Sequence, residues 1–308
     1  MSHLAQNPGS SASCRPERES GADRMLIHIE QTGPFATVQD LGRPGWFDSG
    51  VGPSGAADRS SLRLANRLVG NPEGFAGLEV LLGGLVLRAG GHLTVAVTGA
   101  PAPATVDGTP VGHASVLELS EGQVLCLGAP RTGLRSYVGV RGGIDVPEVL
   151  GSRSYDTMSG IGPPPLRPGT QLRAGPPPRT LPTVEFAPQP VTKDEVIVRA
   201  LPGPRAEWFA DPAALFRGSW SVATDTDRVG ARLDRREGPP LVRTVERELP
   251  AEGVALGSVQ VPPSGQPVVF LADHPITGGY PVVAVVLDDD VDLVAQAQPG
   301  RVLRFVPA

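Results

Sequence analysis

The chain has 308 residues, 40% hydrophobic and 19% charged, with a net charge of −5. That is enough for one large or two medium domains with a sizeable core, and without a basic patch it argues against a nucleic-acid partner. A single lysine, Lys193, excludes a Gly-x-x-x-x-Gly-Lys-Ser/Thr phosphate loop and a biotin-acceptor Met-Lys-Met, while two cysteines, Cys14 and Cys126, are too few for a disulfide framework or a cysteine zinc site.

Residues 1–24 hold almost no apolar content and lack the apolar core of a signal peptide, so a disordered tail is expected there. From Met25 the chain reads as strand ("MLIHIEQTG"). Glycine and proline, 39 and 34 residues, punctuate valine-rich runs in the manner of short strands joined by tight turns. One stretch reads as helix, 57–69, "ADRSSLRLANRLV". Leu62, Ala65, Leu68 and Val69 share one face, and Gly70-Asn71-Pro72 stops it. Strand-length pieces follow from "GLEVLLGGLVLRAG" to "LRSYVGVRGGI", with a hairpin signal at Asp107-Gly108.

Residues 163–192 hold many prolines and mark a boundary between modules at 25–185 and 193–308. β-type runs then resume, from "DEVIVRALPG" to "GRVLRFVP". No apolar run is long enough to cross a bilayer, so no membrane contact and a cytoplasmic location are expected. Five scattered histidines show no metal-binding pattern, and no metal is expected. A weak echo links the halves: Asp58-Arg59-x-x-x-Arg63-Leu64 and Asp227-Arg228-x-x-x-Arg232-Leu233. It arises either by chance or from two related barrels, each with a short helix or turn after its Asp-Arg.

Three constellations could carry chemistry. In 37–59, "TVQDLGRPGWFDSGVGPSGAADR", Asp40, Arg43, Ser54 and Asp58 lie among glycines. Such turns can present N–H groups and an arginine to a carboxylate, or simply cap a helix starting near Ala56. In "TDTDRVGARL", Asp227 and Arg228 are either a local ion pair or a base and an anion clamp. The turn in "LADHPITGGYPVV" offers Asp273 and Thr277. Gly278 and Gly279 there could adopt positive φ and admit close backbone approach. His274 reads as an exposed loop histidine or a base near neutral pH.

The stretches "TVQDLGRPG", "GVGPSGAADR", "RLANRLVGNP", "RGGIDVPEVLGSRS", "LPGPRAEWF", "SVQVPPSGQPVVFLAD" and "TGGYPVVA" resemble the biotin-dependent carboxyltransferase, or allophanate hydrolase subunit 2, family. That family includes the Kip antagonist and the C-type subunit of bacterial 5-oxoprolinase. The resemblance spans about residues 26–306. It implies a mainly β fold of two cyclophilin-like β-barrel modules with a few short helices. It also implies a subunit-1 or Kip-inhibitor-type partner, and possibly a lactam-utilisation-type third subunit, with an exposed apolar face turned to the partner. First among the activities it implies is ATP-dependent opening of 5-oxoproline to L-glutamate by a complex in which this chain is one subunit, inactive alone. A urea carboxylase-type carboxyltransferase subunit and a regulator that binds an inhibitor partner are the alternatives. ATP would act at the level of the complex, and biotin, if used, would be carried on another chain. On this reading Asp227, Arg228, Asp273 and Thr277 are catalytic. Arg43, Ser54, Asp58, Gly278, Gly279 and Tyr280 bind a small carboxylate or amide, with the 273–281 turn at the mouth of the second barrel. Two departures stand out: Thr226 precedes Asp227 where serine is usual, and Pro275 stiffens the last turn.

Overall fold

The structure, a computed structural model, describes residues 25–179, 181–189 and 195–308. The tail expected over 1–24 and Lys193 fall outside them. The first module carries β1 (Leu26–Thr32), β2 (Phe35–Gln39), α1 (Arg59–Leu68), β3 (Gly77–Leu81), β4 (Leu85–Ala89), β5 (Leu93–Gly99), β6 (Ala104–Val106), β7 (Thr109–Val111), β8 (Val116–Leu119), β9 (Val124–Leu127), β10 (Arg135–Val140) and β11 (Gln171–Arg173). These strands form two sheets, β11-β1-β4-β9-β6-β7 and β2-β3-β10-β5-β8.

One core lies between the sheets, from Ile27 and Ile29 on β1 to Val138 and Val140 on β10. Each large aliphatic side chain buried there contributes roughly 1.5–3 kcal/mol relative to exposure. The β6–β7 hairpin turns at Asp107 and Gly108, both left-handed with φ of 49° and 80°, as a two-residue turn requires. Part of the proline-rich stretch is built into this module, because β11 pairs with β1.

The second module carries β12 (Glu195–Pro202), β13 (Ser219–Val222), β14 (Gly230–Glu237), β15 (Glu252–Gly253), β16 (Ser258–Gln260), β17 (Val268–Phe270), β18 (Thr277–Gly278), β19 (Val282–Val286), α2 (Asp288–Ala295) and β20 (Val302–Pro307). Seven strands close into a barrel, β12-β19-β16-β17-β14-β13-β20, while β15 and β18 form a separate ribbon. The fold is mainly β, as expected. Hydrogen-bonded closure is seen in the second module, whereas two sheets facing each other enclose the first module's core. Among the described residues no helix is long and apolar enough to cross a membrane.

The sheet β2-β3-β10-β5-β8 positions the site. Its inner residues, Leu78, Val80, Val138 and Val140, enter the core. Successive side chains alternate faces, so Glu79 on β3 and Arg135, Tyr137 and Gly139 on β10 point outward. That outer face is not solvated, because every residue of β10 is buried. Helix α1 covers part of it. It approaches so closely at Gly139 that a Cβ there would stand 2.9 Å from the carbonyl oxygen of Ala65.

Candidate functional site at the junction of the modules

Register sets a polar row across this outer face. Glu79 pairs with Thr37 on one side and Tyr137 on the other, and Tyr137 pairs with Thr98. All four are buried. Buried polar groups need partners, and the second module supplies them. Arg228, in the turn entering β14, reaches across the junction and donates from Nη1 to Glu79 Oε1 at 2.5 Å. Its Nε and Nη2 form a fork on Asp273 at 2.8 and 3.0 Å, and Nη2 also bonds the Gly55 carbonyl at 2.5 Å. Arg135 Nε lies 3.5 Å from Glu79 Oε1. Tyr137 Oη and the Ala57 N–H donate to Glu79 Oε2 at 2.8 and 2.9 Å.

Asp273 completes the weld. It accepts from Ser54 Oγ at 2.6 Å, and from the N–H and Oγ1 of Thr157 at 2.9 and 2.7 Å. Burial alone would raise the Glu79 and Asp273 carboxyls, but their guanidinium partners outweigh it and hold both below the usual carboxylate range. Burial likewise opposes the Arg228 charge, and Glu79 and Asp273 more than offset it. Tyr137 is pushed well above its ordinary value by burial and by Glu79 and Asp58. Glu79, Asp273 and Arg228 therefore stay ionised and Tyr137 neutral across the neutral range, with the charges paired inside the protein.

Arg43 sits beside this weld, 1% exposed. It bonds the Ser154 carbonyl, and among the described residues its Nε and Nη1 find no hydrogen-bond partner. Burial lowers its pKa against the attraction of Asp156, Asp40 and Asp273. Asp40 itself is taken up by Gly42 N–H, Ser152 Oγ, Arg153 N–H and Ser154 Oγ.

Two clefts open where the modules meet. One, of about 400 Å³, is lined by Phe35, Leu81 and Leu134 on its apolar side and by Thr224, Thr226 and Asp227 on its polar side, with Arg135 and Arg228 at its base. The other, of about 380 Å³, has Asp58, Ser61 and Gln296 among its lining and holds no residue of the first. Both volumes fall within the range of small-molecule sites.

The residues predicted from sequence are thus partly gathered and partly separated. Arg43, Ser54, Arg228 and Asp273 meet at the buried junction, where the donors of Arg228 are taken up by protein acceptors. Asp227 is exposed on the cleft rim; its Oδ1 caps the turn by accepting from the Val229 and Gly230 N–H groups at 2.8 and 3.0 Å. Asp58 caps α1 at the other cleft. Thr277, Gly278, Gly279 and Tyr280 lie on the partly exposed β15–β18 ribbon and its continuation, away from both clefts. Gly278 and Gly279 are not left-handed. Instead Gly278 admits the Gln260 amide, whose nitrogen would stand 2.5 Å from an added Cβ.

His274 is buried rather than exposed; its Nδ1 lies 2.8 Å from the Pro275 carbonyl. Burial lowers its pKa, so it is neutral at neutral pH. Sequence reasoning missed Glu79, Arg135 and Tyr137. The available signal was a lone charge inside an apolar strand run, in "GLEVL" and "LRSYVGV", since buried charges require partners.

Three comparisons bear on this arrangement. The family described as carboxyltransferase domain, subdomain A and B, matches residues 49–307. The chain is 38% identical over 286 residues to the C-type subunit of 5-oxoprolinase from Escherichia coli, covering 91% of each, and 34% identical over 285 residues to the Haemophilus influenzae protein of the same name, covering 91% of this chain and 90% of the relative. The crystal structure of K. lactis urea amidolyase superposes with a TM-score of 0.85 at 29% identity, over 92% of this chain but 19% of that one.

Proposed function

The chain belongs to the family of carboxyltransferase domains built from subdomains A and B, and from that premise we propose that it is the C-type subunit of a 5-oxoprolinase complex, which opens 5-oxoproline to L-glutamate with ATP. The observation that carries this reading is the 38% identity spread over 91% of both this chain and the E. coli protein. Likeness over the full length of a relative of similar size supports a shared role better than a motif does. The modules of this subunit are residues 25–185 and 193–308, and its place is the cytoplasm, with the other subunits as partners and ATP acting on the complex.

The catalytic cleft on this reading is the one rimmed by Asp227. 5-Oxoproline is a small ring with one amide N–H, one amide carbonyl and a carboxylate. Phe35, Leu81 and Leu134 give the ring an apolar wall, and the Thr224 and Thr226 hydroxyls can donate to its oxygens. Asp227 has Oδ1 engaged by the turn and Oδ2 with no bond among the described residues. That oxygen can accept the lactam N–H or orient a water for attack on the carbonyl. Arg228, Asp273 and Ser54 act as positioning residues, because they fix the turn that presents Asp227. Arg43 stands beside the same junction, bonded to the Ser154 carbonyl and attracted by Asp273. Thr277, Gly278, Gly279 and Tyr280 lie off this cleft, where a partner subunit could bring them into use.

A second reading is favoured by the superposition on urea amidolyase: a carboxyltransferase subunit acting on urea or a similar amide, with biotin on another chain. Reconstitution separates the two. The chain should show no 5-oxoproline-dependent ATP hydrolysis alone and should gain it, with glutamate formed, once its companion subunits are added. Asp227→Ala in that mixture should lower kcat by about 10²-fold or more, while Tm falls by no more than the few degrees that loss of the two turn hydrogen bonds costs. A stable complex that ignores 5-oxoproline but carboxylates urea from biotin would give the second reading its place.

A further inference from the structure

The second cleft is built on a different principle from the first. Its mouth is flanked by Ile197 and Leu293, both close to half exposed at 45% and 47%. These are large aliphatic side chains without cover, which is the usual mark of a surface awaiting an apolar group. Exposed Pro101 and buried Ala100 continue the apolar wall. The floor is rich in acceptors. Asp58 Oδ2 receives Ser61 Oγ at 2.6 Å and Gln296 Nε2 at 2.7 Å, while Oδ1 receives only the Ser61 N–H at 2.9 Å among the described residues. One lone pair of a buried carboxylate is therefore free to accept.

Among the described residues no cation forms an ion pair with Asp58. The charged side chain acting on it from α2 is another carboxylate, Asp292, whose oxygens bond the Arg59 and Ser60 N–H groups at 3.0 Å each. From β10 the Tyr137 hydroxyl faces the Asp58 backbone N–H at 2.8 Å. On the rim, Glu195 is paired with Arg304, and Arg301 stands at the edge of the cleft. The Gln296 amide is fully engaged, accepting from Leu134 and Arg135 N–H and donating to Asp58 and the Arg135 carbonyl.

We propose that this cleft is a second small-molecule site, which binds a primary ammonium carried on a compact apolar body. The ammonium would donate to Asp58 Oδ1, with the Ser61 hydroxyl as further acceptor, and the apolar body would cover Ile197, Leu293 and Pro101. A cation supplies what the floor lacks, an opposite charge for a carboxylate that burial and Asp292 otherwise disfavour. A carboxylate ligand would meet like charge at the floor, and an alcohol would gain one hydrogen bond without the charge. The site is distinct from the Asp227 cleft and does not depend on the activity assigned there, because it is tested by binding to this chain alone.

The test is calorimetric titration of the full chain with cyclohexylmethylamine, cyclohexylmethanol and cyclohexanecarboxylate. At pH 7.5 the amine should bind saturably, with one site, at least about tenfold tighter than the alcohol, and the carboxylate should not bind. Because the Asp58 carboxyl is pushed up to about 6, lowering the pH to 5 should weaken the amine about tenfold as the acid takes its proton. Asp58→Asn should erase the preference for amine over alcohol. Leu293→Arg, at an exposed position where folding is not at stake, should abolish amine binding by placing a cation at the mouth. Equal affinity for amine and alcohol, tighter binding of the carboxylate, no saturable amine binding, or unchanged binding in a folded Leu293→Arg protein would each overturn the proposal.

Discussion

Asp58 shows how one residue can be needed for structure and still carry a cost at neutral pH. It caps α1, yet burial and Asp292 raise its pKa from 3.8 to about 6. A carboxyl whose folded pKa is raised favours the fold most when it is neutral. The stabilisation is complete below about pH 4 and is lost as pH rises through 6, a total of about 3 kcal/mol for a shift of that size. Glu79 and Asp273 run the other way, but their folded values are lowered, so their contribution changes only below the ordinary carboxylate range. Between pH 5 and 7.5 the falling trend from Asp58 should therefore dominate among these three. Burial lowers the pKa of His113 and His274 and adds the same rising trend to the natural protein and to Asp58→Asn over this interval. In thermal melts the Tm of the natural protein should therefore fall relative to that of Asp58→Asn, which keeps an oxygen for the Ser61 N–H, as pH rises from 5 to 7.5. Equal slopes for the two proteins would show that the Asp58 carboxyl is not buried as described.

At the scale of the element, α1 is capped from both modules. Asp58 bonds the Ser61 N–H from the helix's own N-terminus, and Asp292 bonds the Arg59 and Ser60 N–H groups from α2. Two of the first-turn donors that a helix leaves free, those of Arg59 and Ser60, are therefore satisfied only when the modules are docked. Asp292→Ala should cost about 0.5–2 kcal/mol, the range for loss of a capping side chain, and should also bring the Asp58 pKa down by removing a like charge. Urea denaturation and a pH titration of Tm measure the two effects separately. Gly139→Ala should destabilise by about 1–3 kcal/mol through overpacking, because the Ala65 backbone already occupies the space of a Cβ. The helix, its buried face and the Asp107-Gly108 hairpin were legible in the sequence because each depends on neighbours within a few residues. The strand partners of Glu79 were not, since Thr37 and Tyr137 reach it only through register. Its bond to Arg228, 149 residues away in the chain, leaves no local trace beyond an acidic residue in an apolar run. The long motifs that gave the family resemblance contain Arg43, Ser54 and Asp273, but they could not say that these face each other across a junction rather than line a mouth. The expected openness of the 273–281 turn failed for His274, whose ring turns inward beside Phe270, with centroids 6.0 Å apart, and sets Nδ1 against the Pro275 carbonyl.

Across the whole molecule, two cores that share no strands are held together by charges sealed between them. The first module's core and the barrel's core are separate clusters, and each could in principle unfold alone. What opposes this is Arg228, bonded to Glu79 of one module and Asp273 of its own, with Asp273 in turn bonded to Ser54 and Thr157 of the first. Removing only the cation leaves two carboxylates buried without their main partner, so Arg228→Met should cost about 3–5 kcal/mol. A neutral trio, Glu79→Gln with Arg228→Met and Asp273→Asn, removes the stranded charges and should recover much of that loss. The two variants should differ in kind as well as in degree. In differential scanning calorimetry the natural protein should melt in one transition, because opening the junction exposes several ions at once. Arg228→Met should split into two, as repulsion drives the modules apart before either core melts. A single transition in Arg228→Met, lowered but unsplit, would mean that apolar contacts across the junction, such as Ala57 within the barrel core, couple the modules more strongly than the ions do. The placement of Asp227 on the cleft rim would then depend on those contacts, and activity in the reconstituted complex should survive Arg228→Met at temperatures where the protein stays folded.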